Sequence, residues 1–137
     1  MANANRGENS HLQKDLVFSL AHPAVTATST FHVFKARVPC KVTRIEYANP
    51  TGLAEDTTNT FKGEIKNGST VLATPFFTDS DEAGDNNLGA NTLIVASLSA
   101  VDGALNLAAG DTLDLVLTEA GTATLPAGGL VVYVTEI

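Results

Sequence analysis

No lysine or arginine follows Lys66 in this chain of 137 residues. All eight basic residues (Arg6, Lys14, Lys35, Arg37, Lys41, Arg44, Lys62 and Lys66) precede that point together with six acidic ones, and nine further acidic residues come after it. The net charge is −7. Phosphate backbones are held by clustered Lys and Arg, so general nucleic-acid binding is disfavoured. The asymmetry has two readings: plain solubility, or a bipolar surface that docks on a partner. Tryptophan is absent, and Cys40 is the only cysteine. A lone cysteine forms no intramolecular disulfide, which suits a reducing cytoplasm, and its default role is that of a packed small hydrophobe. With no Trp and only Tyr47 and Tyr133, the aromatic platform of a sugar-binding module is thin. No apolar run approaches the roughly 20 residues that a membrane span needs. The opening stretch, MANANRGENSHLQKD, has no apolar signal core, so no secretion signal and no membrane partner are expected.

Chemical motifs are also missing. The G-x-S-x-G elbow of a serine hydrolase does not occur. No Gly-rich loop sits between a strand and a helix to hold phosphate. His11, His22 and His32 match no spacing that a zinc site uses. The acidic run Asp79-Ser80-Asp81-Glu82-Ala83-Gly84-Asp85-Asn86 looks like a calcium loop at first. An EF-hand needs an oxygen donor where Ala83 stands and a glutamate where Ala90 stands, so it is not one. Asp79, Asp81 and Asp85 remain weak candidates for an irregular cation site, against the default of a solvated acidic loop. No enzymatic activity and no cofactor are expected.

What is present is alternation. Leu113, Leu115 and Leu117 alternate with Asp114, Val116 and Thr118, the period of a half-buried strand. Gly110-Asp111 precedes that run as a turn, and Pro126 to Gly129 follows it as another. Leu130 to Val134 is apolar on both faces and is expected to lie centrally in a sheet. Upstream, Leu16 to Ala21 is a first strand, stopped by His22-Pro23. Ala24 to Ser29 is a loop or a weak edge strand. Thr30 to Val38 is a second strand, and Pro39-Cys40 interrupts the ladder as a bulge, a bend or a strand end. Lys41 to Ala48 follows, with Thr43, Ile45 and Tyr47 on one face, and Asn49 to Gly52 is a turn. Thr60 to Asn67 turns its Phe61, Gly63 and Ile65 inward. Asn67-Gly68 is the favoured pair of a type I′ hairpin, returning through Thr70 to Phe77. Thr78 to Asn91 is a long acidic loop, Thr92 to Leu98 a further strand, and Leu105 to Leu107 a short strand or turn. About eight strands at this spacing predict an all-β antiparallel sandwich, best fitted by an eight-stranded jelly roll, with an Ig-like sandwich as the alternative. Residues 1–15 form a polar arm that cannot gain enough burial to order alone, or else a frayed end. Residues 16–137 form one β-sandwich domain.

The runs TFHVFKARVPCKVTRIEYANPTG, FKGEIKNGSTVLAT and AAGDTLDLVLTEAGTATLPAGGLVVYVTEI resemble the small jelly-roll decoration, or cement, proteins of tailed-bacteriophage heads. The likeness covers roughly residues 30–137 and contains no catalytic or metal motif. It implies a virion structural protein on the outer capsid surface, made in the host bacterial cytoplasm. It implies a homotrimer that clamps neighbouring copies of the major capsid protein, and an N-terminal arm that reaches across the shell. On that arm Arg6, Leu12 and Lys14 are the candidate partner contacts. The runner-up is a trimeric jelly-roll module that binds a receptor or carbohydrate, as at a fibre tip.

Overall fold

The computed structural model describes residues 15–54, 56, 58–78 and 88–137. Among these, β1 (Asp15–His22), β2 (Ser29–Lys35), β3 (Cys40–Ala48), β4 (Thr60–Asn67), β5 (Thr70–Thr78), β6 (Ile94–Val95), β7 (Asn106–Leu107), β8 (Thr112–Ala120) and β9 (Gly128–Glu136) follow in chain order, with no helix. The first sheet has the order β1-β9-β3-β6, with β7 also on β3, and the second has the order β2-β8-β4-β5. All pairings are antiparallel. The chain alternates between sheets except at the β4–β5 hairpin and the short β6–β7 passage. Setting the two-residue β7 aside, this is the strand order of a jelly roll. The final strand is central as its composition requires, held between β1 and β3.

Alternation builds the core. Leu113, Leu115 and Leu117 of β8 face Phe61 and Ile65 of β4 and Val42, Ile45, Tyr47, Leu130, Val132 and Val134 of the first sheet in one buried cluster. Full burial of each such aliphatic or aromatic side chain stabilises by about 1.5–3 kcal/mol. Cys40 is buried among them and not bonded to sulfur.

Four local expectations change. The β3 register shifts between Val42 and Arg44, so Val42 joins Ile45 and Tyr47 in the core while Thr43 turns outward. A bulge adds one residue and resets the alternation. A similar shift falls between His32 and Phe34, after which β2 pairs on to Lys35, opposite the first residue of β8, and ends there rather than at Val38. Beyond it, Ala36 leaves the ladder to exchange backbone hydrogen bonds with Gly110 and Asp111, both 2.7 Å. The stretch Thr92 to Leu98 is not one strand. Glu46 and Tyr47 of the first sheet pair with Val95 and Ile94, and Leu98 then bridges Ala73 of the second, so the segment crosses between the sheets.

The β4–β5 hairpin lies where expected, but its turn is one residue later. Asn67 pairs with Thr70, and Gly68 at φ 59° is the first central residue. Positive φ at that position alone marks a type II′ turn, whereas type I′ would need positive φ at Ser69 as well.

Candidate interaction surface

The two sheets present different outer faces. On the first, register places residues in rows across β1, β9, β3 and β6. One row is Val17, Tyr133 and Arg44; the next is Ser19, Val131, Glu46 and Val95; a third is Ala21, Gly129 and Ala48. Val17 is 59% exposed and Val95 48%. The only ionisable groups in these rows besides Tyr133 are Arg44 and Glu46, and they neutralise each other. Arg44 Nε donates to Glu46 Oε2 at 2.9 Å, and the Tyr133 hydroxyl donates to Glu46 Oε1 at 2.8 Å. The Tyr133 bond, then the Arg44 bond, hold the Glu46 carboxyl below its ordinary value, and the same Glu46 bond raises the Tyr133 hydroxyl. The row beyond Val17, made of Asp15, Thr135 and Lys41, adds two exposed charges of opposite sign. The result is a face without net charge, whose middle is small and β-branched around the Arg44–Glu46–Tyr133 cluster.

The second sheet's outer face is a solvated charged one. His32 pairs with Asp114, and Glu64 lies 3.7 Å from Lys62 and 3.8 Å from Lys66. None of the exposed large hydrophobic residues among the described ones lies there. Antiparallel sheets that face water carry polar residues outside; the second sheet obeys that rule, and the first mixes polar residues with the exposed Val17 and Val95.

A second apolar feature opens between the edges of β1 and β2. Leu16, Phe18, Phe34, Ala36, Val38, Cys40 and Val134 line a hollow of about 320 Å³, with Lys35, Arg37 and Glu136 at its rim. The Phe18 and Phe34 rings stack at 4.1 Å between centroids. Burial, then the nearby charges of Glu136 and Asp111, push the Cys40 thiol up, so it is a poor nucleophile there.

The opposite end of the first sheet holds a buried polar cluster. His22 and Asn49 are the only buried polar residues among those described. Asn49 Nδ2 donates to the Pro126 carbonyl at 2.7 Å and to the Tyr47 hydroxyl at 3.3 Å, while its Oδ1 accepts from the amides of Thr51 and Gly52. This satisfies the amide completely and closes the turn. Sequence reasoning reads His22 only as a strand stop; its place opposite Tyr47 depends on the pairing of β1 with β9 and β9 with β3, which local pattern does not carry.

Arg6, Leu12, Lys14, Asp79, Asp81 and Asp85 lie outside the described residues, as does His11. His22 is buried and His32 exposed, on different sheets. Among the described residues no group of three or more His, Cys, Asp or Glu could hold a metal ion.

Topology defines a jelly-roll β-sandwich. No protein-family model matches the chain, and no curated protein sequence matches it. Its fold is similar to that of a chain in the cyanophage Pam1 capsid asymmetric unit, with a TM-score of 0.52 and 15% identity over 93% of this chain and 87% of that one. A chain of the infectious bursal disease virus Gx strain aligns at a TM-score of 0.41 and 15% identity, over 90% of this chain and 32% of that one. The fold correspondence rests on the first.

Proposed function

We propose that this chain is a virion structural protein: a decoration protein of the tailed-phage type that binds the outer surface of the assembled head and stabilises it. The observation that carries the reading is the neutral outer face of the first sheet on a jelly-roll frame. The fold likeness to a chain from a phage capsid asymmetric unit, spanning most of both chains, supports it. A contact role requires no catalytic group. Ligands that bind only an assembled lattice shift its equilibrium by mass action, and the middle of this face, where Arg44, Glu46 and Tyr133 satisfy one another, can be covered without stranding an unpaired charge. On this reading the partners are other copies of this chain, as a homotrimer, and the major capsid protein. Residues 16–137 are the contact domain, residues 1–15 are an arm bearing Arg6, Leu12 and Lys14, and the protein is made in the host bacterial cytoplasm.

The test is a titration of purified protein onto phage heads that lack it. Saturable occupancy and a higher disruption temperature of the loaded heads are expected. No head binding, together with calcium-dependent binding to glycans, would instead place the chain with the jelly-roll receptor modules.

A further inference from the structure

The sandwich has one closed side and one open side. On the closed side, the passage from β6 to β7 covers the outer edge of β3. Ala96 donates to the Ile45 carbonyl at 2.9 Å and Val42 to the Leu105 carbonyl at 3.0 Å, while β6 and β7 pair with the two ends of the strand. The same passage reaches the edge of β5, where Leu98 bridges Ala73 and Ser99 donates to the Leu72 carbonyl at 2.8 Å. On the open side lie the other two edge strands, β1 and β2. No strand among the described residues pairs with their outer edges. Soluble proteins blunt such edges with lysine, proline, a bulge or shortness. β2 is bulged between His32 and Phe34 and ends in Lys35. β1 has none of these devices. Its residues Asp15 to His22 pair with β9 without a shift, and they include neither lysine nor proline. Leu16 and Val17 on it are exposed.

The open side carries its own complement. β1 and β2 run antiparallel, since Phe18 stacks on Phe34 while His22 lies 5.9 Å from Phe31. Asp15 and Lys35 therefore stand at the same end of the two strands. Glu136 and Arg37 join them there, at the rim of the apolar hollow. The sheet of β1 supplies the two acids, and the β2 segment supplies the two bases. None of the ion pairs among the described residues uses any of the four. Asp15 accepts a hydrogen bond from the Thr135 hydroxyl at 2.6 Å, which leaves its charge uncompensated. We propose that this side is the contact between copies of the chain, with the β1 edge of one copy laid along the β2 edge of the next. Asp15 and Glu136 of one copy then face Lys35 and Arg37 of the other, and the apolar hollow is shut between them. With the charged ends level, the two edges run in opposite directions and can form an antiparallel ladder. Pairing β1 antiparallel to another β1 would set the acidic ends apart and leave the bases unmet. A contact between two different edges closes into a ring when the rotation allows. The inference deepens the homotrimer proposed above, and it rests on that reading for the number of copies alone.

Two single-cysteine chains in a Cys40→Ala background test the pairing. Asp15→Cys and Lys35→Cys both fall at exposed positions, so neither should disturb folding. Co-expressed with different tags and oxidised, the two chains should bridge to each other and neither should bridge to itself, since a disulfide needs close Cα approach. Bridging of Asp15→Cys to itself, or no bridge in the mixture, overturns the proposal. Light scattering of the full chain at micromolar concentration should give a multiple of 14.2 kDa. Leu16→Lys places a cation in the hollow beside Lys35 and Arg37 and should weaken association by roughly tenfold. A monomer throughout, or unchanged association of Leu16→Lys at an unchanged urea midpoint, overturns the proposal. Should Leu16→Lys be globally unstable, the cysteine pair decides. Occupancy on phage heads keeps the two readings apart. A chain that assembles in this way but binds no heads overturns the decoration reading alone, and a monomer that saturates heads overturns this inference alone.

Discussion

The Tyr47 hydroxyl donates a hydrogen bond to His22 Nε2 across 2.7 Å inside the sandwich. The direction follows from the other side of the ring. His22 Nδ1 lies 2.8 Å from the Pro23 carbonyl, which only accepts, so Nδ1 carries the proton and Nε2 is the acceptor. The imidazole is therefore held neutral, and the rings of His22 and Tyr47 lie nearly parallel at 5.8 Å. This pair ties the end of β1 to β3 across the central strand.

Burial lowers the His22 value below its ordinary 6.5. Below that pH the unfolded chain takes up a proton that the native chain refuses. The His22 contribution to stability is therefore complete above pH 6.5 and is lost as pH falls beneath it. Urea midpoints should drop on acidification through this window, and the His22 ring resonances should stay at their neutral positions below pH 6.5. A His22 ring that protonates at its ordinary 6.5 with no loss of stability would contradict the pairing. Tyr47→Phe removes the donor and leaves Nε2 buried without one; it should cost about 1–3 kcal/mol.

The same contact sets the backbone beside it. A Cβ on Gly128 would lie 2.6 Å from the Tyr47 hydroxyl, 2.9 Å from His22 Nε2 and 3.0 Å from the Ala48 carbonyl. A Cβ on Gly129 would meet nothing nearer than the Leu20 carbonyl at 3.7 Å. Gly128→Ala should therefore destabilise by about 1–3 kcal/mol through overpacking, while Gly129→Ala should be near neutral. Chemical denaturation of the two variants side by side checks this, and equal effects would count against it.

Much of this fold is legible in the sequence. The β8 leucines, the inward set of β4, the central position of β9 and the two-sheet class all follow from period-two alternation and its turn residues. The bulges at Val42/Arg44 and His32/Phe34 are not legible, because a bulge is fixed by pairing across strands and leaves no local composition mark. The crossing of residues 94–98 between sheets is hidden for the same reason: Ile94-Val95 has strand chemistry, but only the tertiary arrangement decides which sheet each residue joins. The neutral outer face is half legible. The two-sided apolar character of Leu130 to Val134 shows in the chain, but the in-plane closure of Arg44, Glu46 and Tyr133 requires the register of β3 on β9. The six site residues singled out from sequence fall outside the described residues, and the sheet face on which the proposal rests is built from strand residues that carry no motif.

Alkaline titration separates the two tyrosines by cause. Burial pushes Tyr47 up to about 12, whereas the Glu46 hydrogen bond comes first in raising Tyr133. An acidic group raised in the native state stabilises it below the ordinary value of 10.0, and that contribution is lost as pH rises beyond it. Glu46→Gln should bring one tyrosine back toward its ordinary titration and leave the other unmoved, read as tyrosinate absorbance against pH. Movement of both tyrosines, or of neither, would show that Glu46 is not what holds Tyr133.

The central claim is that the outer face of the first sheet makes the contacts of the assembled head. Val131 and Val116 are matched for the test: each is half-buried on an outer face and lies mid-strand, on β9 of the first sheet and β8 of the second. The measurement is saturation occupancy of Val131→Glu and Val116→Glu on heads lacking the native protein, with both variants first shown to melt alike. Burying an unpaired carboxylate in a contact is strongly unfavourable, so Val131→Glu should lose binding and Val116→Glu should keep it. Undiminished occupancy by Val131→Glu, or loss confined to Val116→Glu, would contradict the account.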